Sequence, residues 1–248
     1  MSRLDWQIGT VTAIIPETPR VNTFTISLPQ WTVHRAGQHY DLRLTAPDVY
    51  QTERSYSIAS PPEQVGEIAL TVELIADGEV SGYLSEGVAV GDYLEVRGPI
   101  GGYFVWPAGA PEAPLLLVAG GSGVVPLMAM LRHRQRAGLH NPAVLLFSVR
   151  TPEDVIYQHE LEAMAQADPA FTLLLTFTRQ APAGRAGYRR RLDAAMLAEA
   201  VGQLPGPPQC FVCGPTGLVE SAATLLQAQG LPDDAIRTER FGPTGSVA

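Results

Sequence analysis

The chain has 248 residues, 46% of them hydrophobic and 17% charged, which is enough apolar mass for two ordinary domains and too much for global disorder. Its formal net charge of −8 excludes a general affinity for nucleic acid or anionic membrane. The opening MSRLDWQIGT lacks an apolar signal region, no run approaches the roughly 18 residues of a membrane span, and two cysteines build no disulfide framework, so a cytoplasmic setting is expected.

The first part reads as β. Apolar, β-branched and aromatic runs at 11–15, 24–28, 40–44, 68–75 and 93–96 are punctuated by Gly, Pro and Asp, the pattern of a small antiparallel barrel. RSYSIAS, 54–60, has strand composition but carries an arginine, a tyrosine and serines, polar groups that a buried strand accepts when something binds them. A short helix is predicted over 80–86. WPAGAPEAP, 106–114, dense in Pro, Gly and Ala, reads as a linker, dividing the chain into a first domain over 1–107 and a second over 114–248.

Beyond the linker the texture changes. LLLVA is a continuous apolar strand, followed by GGSGVVP and a helical pattern ending at Gly138. Then come AVLLFSV, a helix near 160–167, FTLLLTFT, a helix near 192–200, CFVC, and a helix over 217–229. Buried strands alternating with helices imply βαβ units on a parallel sheet.

Several stretches could carry chemistry. In AGGSGVVP, Gly121 and Gly123 let backbone approach a ligand, and the helix start offers free N–H groups to a phosphate; the same turn also occurs without a ligand. CFVCGPTG has a similar strand-then-turn form. Cys210 and Cys213 lie three strand residues apart, about 10 Å, and point to opposite faces, so neither a disulfide nor a shared metal is expected. The histidines show no pair at metal spacing. Neither a G-x-S-x-G elbow nor a Walker loop is present.

Taken together, RSYS, GEVSGYLSE, GPIGGYF, GGSGVVP and VCGP resemble, in order, the signatures of the ferredoxin–NADP(+) reductase family of two-domain flavoproteins. The resemblance implies FAD on the barrel and a pyridine nucleotide on the α/β domain. By it, Arg54 would bind the flavin pyrophosphate, Tyr56 would pack on the isoalloxazine, and Ser55 and Ser57 would supply hydroxyls, Ser57 near flavin N5. Gly78, Val80 and Ser81 would hold phosphates through a helix N-terminus, and backbone around Val72 and Leu74 would add contacts. Gly121, Gly123, Gly214 and Pro215 would bind the nucleotide. Ser57, Cys213 and Glu239 would form the catalytic set, with an exposed strand-end carboxylate as the alternative for Glu239. Phe241 would cover the ring, or its tail would run over the adenine side.

Arg150, Thr178, Arg179 and Arg189 are the candidates for a 2′-phosphate, which points to NADPH; a solvated basic face is the alternative. No four-cysteine iron–sulfur run is present. The implied activity is hydride transfer from NADPH to FAD, then single electrons to a separate ferredoxin-like protein or oxygenase component. A non-catalytic flavin- or nucleotide-binding subunit and an NADH-preferring flavin reductase are the alternatives.

Overall fold

A computed structural model describes residues 4–46, 48–106, 113–180 and 187–242. The chain forms two units, residues 1–107 with 128–138, and residues 108–127 with 139–248. Most of the expected 106–114 linker lies outside the described residues; Trp106, at its start, is fully buried.

The first unit is a six-stranded antiparallel sheet of β1 (Gln7–Thr18), β2 (Val21–Ser27), β3 (His39–Thr45), β4 (Gln51–Ser57), β5 (Glu67–Glu73) and β6 (Tyr93–Ile100). Its strand order is β4-β3-β6-β1-β2-β5. The two edge strands meet through an Ile58–Leu70 bridge, where the Ala59 N–H donates to Ala69 O at 2.8 Å, and this closes the barrel that the sequence implies. Alternating strand residues, among them Phe24, Ile26, Leu42, Ile68, Leu70 and Val96, fill the core. Helix α1 (Glu79–Glu86) adds Val80 and Leu84 to that core, each worth roughly 1.5–3 kcal/mol of transfer free energy. Leu84→Ala would loosen the helix from the barrel end.

The second unit is a parallel sheet of β7 (Leu115–Gly120), β8 (Ala143–Val149), β9 (Phe171–Phe177), β10 (Gln209–Pro215) and β11 (Ile236–Phe241), in the order β11-β10-β7-β8-β9. Helices α2 (Val124–Arg136), α3 (Gln158–Ala167), α4 (Ala194–Gly202) and α5 (Thr216–Ala228) connect them. β7 and β8 are buried at every position, which is why they read as unbroken apolar runs. Helix α4 starts at 194 because Asp193 caps it, its Oδ1 accepting from the Met196 N–H at 3.0 Å. The strand order reverses between β7 and β10, and such a switch point opens a crevice at the strands' carboxyl ends.

Residues 128–138, the rest of α2 and the two residues after it, belong with the first unit. There Arg132 donates to Ala59 O at 2.8 Å, His133 Nδ1 lies 2.6 Å from Glu63 Oε1, and Arg134 is buried. The arginine cluster at 132–136 therefore owes at least two of its members to packing. β11 was not announced by the sequence: IRTERF is polar along most of its length and pairs on one side only, with β10.

Candidate functional site

In the first unit the site is built along β4. Its alternation places Thr52, Arg54 and Tyr56 on one face and Ser55 and Ser57 on the other. Arg54 is exposed, with Nη1 donating to Glu53 O at 2.7 Å. Tyr56 packs half-buried against the barrel core, and burial pushes its phenol up to about 12, so it stays neutral. Ser57 is only 5% exposed, yet its Oγ has no hydrogen-bond partner. Leaving a buried hydroxyl unpaired costs about 1–3 kcal/mol, which makes Ser57 Oγ a group waiting for a ligand.

Ser55 is not part of this arrangement. It donates to Asp41 Oδ1 at 2.7 Å on the barrel's outer face, where Arg97 Nη2 also reaches Asp41 Oδ2 at 2.7 Å. Burial alone would raise the Asp41 carboxyl, but the hydrogen bonds from Ser55 and Arg97 hold it below its ordinary value. The Ser55 hydroxyl proton is therefore committed to Asp41.

The loop before α1 forms the next part. Gly78 is the extended N-cap, and the first-turn N–H groups of Glu79, Val80 and Ser81 begin the helix without intrahelical acceptors. The Ser81 side chain accepts from the Ile75 N–H and donates to Gly78 O, both at 3.2 Å. It staples the turn, and Val80 is buried in the core, so at these positions a phosphate meets backbone N–H groups rather than side chains. The backbone groups of Val72 and Leu74 are taken up on the β2 side of β5. Leu74 gives its N–H to Arg20 O at 2.8 Å and receives Arg20 Nη2 on its carbonyl at 2.7 Å. Ladder alternation then turns the Val72 backbone toward Asn22 of β2, and the outward-facing backbone positions are Thr71 and Glu73.

In the second unit, a tight helical turn at Gly121–Gly123 links β7 to α2. The two glycines serve different ends. A Cβ on Gly123 would lie 2.2 Å from the Cys213 carbonyl oxygen, so backbone packs on backbone there. Gly121, at φ +53, meets nothing within 4 Å and faces open space at the start of the helix. A side chain would thus find room at Gly121, whereas Gly123 holds the loop against β10. Gly214, at φ +152, packs on the Gly120 backbone, and Pro215 ends β10 opposite Phe241.

Cys213 is opposite Glu239 in the parallel β10–β11 pairing, so their side chains share a face. Cys210 points the other way, into the helix-covered core with Val212, and both cysteines are free thiols. Burial, and secondarily Glu239, pushes the Cys213 thiol well up, so it is neutral. Glu239 is raised to about 7 by burial, and its Oε2 has no hydrogen-bond partner. A surface strand-end carboxylate would show neither feature.

Arg150, Thr178 and Arg179 converge at the carboxyl edge of β8 and β9. The Thr178 N–H donates to Val149 O and the Arg179 N–H to Arg150 O, both at 2.9 Å, stitching the two strand ends together. Arg189 is exposed nearby in sequence to Arg190, whose guanidinium is committed to Asp193 and lies 5.2 Å from the Tyr188 ring centroid. Arg185, at the start of that basic run, lies outside the described residues, as does the tail beyond Gly242.

One feature no motif announces is a cleft of about 560 Å³ at the end of the barrel, beside α1, with exposed Tyr50, Tyr83 and Tyr93 on its walls. These tyrosines come from a loop, a helix and a strand, so only the exposed aromatic opening β6 was a local hint. Among the described residues, no group of three or more His, Cys, Asp or Glu side chains could hold a metal ion, and no helix is long and apolar enough to cross a membrane.

These residues fit a flavin and a pyridine nucleotide: β4 presents a half-buried ring, a guanidinium and an unpartnered buried hydroxyl, and each unit has a helix start with free N–H groups. The Oxidoreductase FAD-binding domain family matches residues 9–105, and the Oxidoreductase NAD-binding domain family matches residues 117–224. The ferredoxin–NADP reductase B of Sorangium cellulosum is 36% identical over 210 residues, covering 83% of this chain and 84% of that protein. The chain belongs to the ferredoxin–NADP(+) reductase family.

Other members of the ferredoxin–NADP(+) reductase family are longer. The glycine betaine monooxygenase reductase subunit of Chromohalobacter salexigens is 33% identical over 235 residues; the match covers 93% of this chain but 63% of that subunit. The FAD/NAD-binding domain of nitric oxide dioxygenase from Vibrio cholerae has the same fold, with TM-score 0.81 and 21% identity over 96% of this chain and 99% of that one. The chain accordingly carries the FAD-binding and NAD-binding domains of that family.

Proposed function

We propose that this protein takes hydride from NADPH onto FAD and passes single electrons to a separate acceptor, a ferredoxin-like protein or an oxygenase component. The observation that carries this reading is that each unit holds a buried polar atom without a hydrogen-bond partner on a strand of the expected site, Ser57 Oγ on β4 and Glu239 Oε2 on β11. The Chromohalobacter relative, a monooxygenase reductase subunit by name, supports the choice of acceptor class.

Bound FAD supplies the conversion of a two-electron donor into one-electron steps. The chain's residues do the rest. Arg54 and the α1 N–H groups would hold the pyrophosphate, and Tyr56 would fix the plane of the ring. Ser57 would donate its hydroxyl to flavin N5, the atom that receives hydride, where a preset donor needs no reorganisation. Cys213 would present a neutral, apolar thiol beside the nicotinamide, and Glu239, close to its midpoint at neutral pH, would hold or release a proton there. Phe241 would cover a ring at the end of β11, and Gly121, Gly214 and Pro215 would bound the nucleotide loop.

Preference for NADPH is supported by the stitched edge that carries Arg150, Thr178 and Arg179, with Arg189 as a further cation, and by the lack of an acidic side chain at 178–179 to meet the ribose hydroxyls. The test is kcat/KM for both nucleotides. Arg179→Ala should lose roughly tenfold or more of its efficiency with NADPH, while efficiency with NADH barely moves. A wild-type protein that already works better with NADH would contradict this preference.

A further inference from the structure

The ladder between β3 and β4 ends at the His39–Ser57 pair, so Ser57 stands on its last rung. Its Oγ makes no hydrogen bond, and its direction is therefore set by the backbone that carries it. Beyond Ser57 the chain runs through buried Ile58, Ala59 and Ser60 to Glu63, and side chains from two other segments close on it. Arg132 Nη1 donates to Ala59 O at 2.8 Å, and His34 Nε2 donates to Ser60 O at 3.0 Å. His133 Nδ1 meets Glu63 Oε1 at 2.6 Å, with the Trp106 ring edge-on to the imidazole, centroids 5.5 Å apart. All these residues belong to the first unit. We propose that His34, Arg132 and His133 form a clasp on residues 59–63 that positions the Ser57 hydroxyl for the reacting end of the flavin. This rests on the role given to Ser57 above.

His34 is the most telling member. A carbonyl oxygen only accepts, so the ring carries its hydrogen on Nε2 and leaves Nδ1 bare. That nitrogen is buried without a hydrogen-bond partner, in a residue only 2% exposed. Burial holds the imidazole below its ordinary 6.5; the Ser60 hydrogen bond and Glu63 oppose this, and His133 adds to it. A phenyl ring would fill the same space with no unmatched nitrogen. What the imidazole provides, and a phenyl would not, is the hydrogen bond to Ser60 O. Arg132 and His133 are neighbours on α2, so one turn of helix delivers the other two contacts. A donor aimed at a reacting atom must be held to about 0.5 Å by its supporting shell, and these contacts supply that shell where the strand ladder stops.

The experiment is a double-mutant cycle. His34→Phe and, separately, Arg132→Met are made in wild type and in Ser57→Ala, and single-turnover reduction of the FAD-loaded proteins by NADPH is timed. Each variant should slow reduction roughly three- to tenfold when Ser57 is present, and less than about twofold when it is already gone. His34→Gln, whose amide can again donate to Ser60 O, should recover most of the rate. Hydrogen exchange in the flavin-free protein gives a second readout. The Ile58 and Ala59 amides, bonded to Gln38 O and Ala69 O, should exchange roughly five- to tenfold faster in either variant, while β1 and β2 keep their rates. Arg132 is only partly buried, so its variant carries the test should His34→Phe not fold. Equal slowing in both backgrounds, wild-type rates in folded variants, or unchanged exchange at 58–59 would overturn the clasp and leave hydride transfer to the flavin standing. So would a Ser57→Ala protein reduced at the wild-type rate. A wild-type protein whose flavin neither NADPH nor NADH reduces would overturn the reading of the site itself.

Discussion

Ser57 is buried and Glu239 half-buried, and each has a side-chain oxygen without a hydrogen-bond partner. Ser57→Ala removes an unsatisfied hydroxyl, so it should leave folding unharmed while flavin reduction slows by roughly tenfold or more. Single-turnover reduction at the wild-type rate would leave Ser57 a packing role only. Glu239 makes a pH-dependent prediction. Its carboxyl titrates at about 7 in the folded chain against an ordinary 4.5, so the folded state binds more protons between those values. Stability without nucleotide should therefore fall as pH rises from about 4.5 to about 7, and Glu239→Gln should flatten that part of the Tm–pH curve. An unchanged slope in the variant would contradict the burial of the carboxylate. At this scale the sequence was partly legible: RSYS and VCGP are compact strings, and they singled out Arg54, Tyr56, Ser57 and Cys213 as candidates. The Ser55–Asp41 hydrogen bond was not legible, because Asp41 is 14 residues away in sequence and meets Ser55 only across the β3–β4 pairing.

Elements were legible where burial is complete on both faces. β7 and β8 announce themselves because a parallel strand between helices tolerates no polar residue, whereas β11, an edge strand with polar positions, does not. Strand composition at 71–74 does not say which residues turn their backbone groups outward, because a shift of one residue in a strand reverses the direction of every backbone group. The glycine loop illustrates a finer limit: GGSG shows that backbone approaches something, but not what. Gly123→Ala must push the Cys213 carbonyl aside and should cost about 3 kcal/mol, the upper end of overpacking penalties. Gly121→Ala meets no atoms and should cost only about 1–2 kcal/mol for its left-handed backbone. Urea midpoints in the reverse order would contradict this division of labour.

For the whole molecule, two textures in one chain, alternating and then continuous, gave the barrel and the parallel sheet, because each fold class imposes its own hydrophobic period. The tyrosine cleft was invisible for the opposite reason: its walls come together only once the barrel closes and α1 caps it. A net charge of −8 leaves the basic groups at the edge of β8 and β9 as local exceptions, consistent with a specific anionic ligand rather than a polyanion. The central claim is that a flavin and a pyridine nucleotide exchange hydride on this chain. Anaerobic titration of the purified, FAD-loaded protein with NADPH tests it most directly. The account predicts a yellow protein whose oxidised-flavin absorbance is lost on addition of one equivalent of nucleotide and returns on exposure to a one-electron acceptor. A protein that takes up no flavin, or a bound flavin whose absorbance NADPH and NADH both leave untouched, would contradict it.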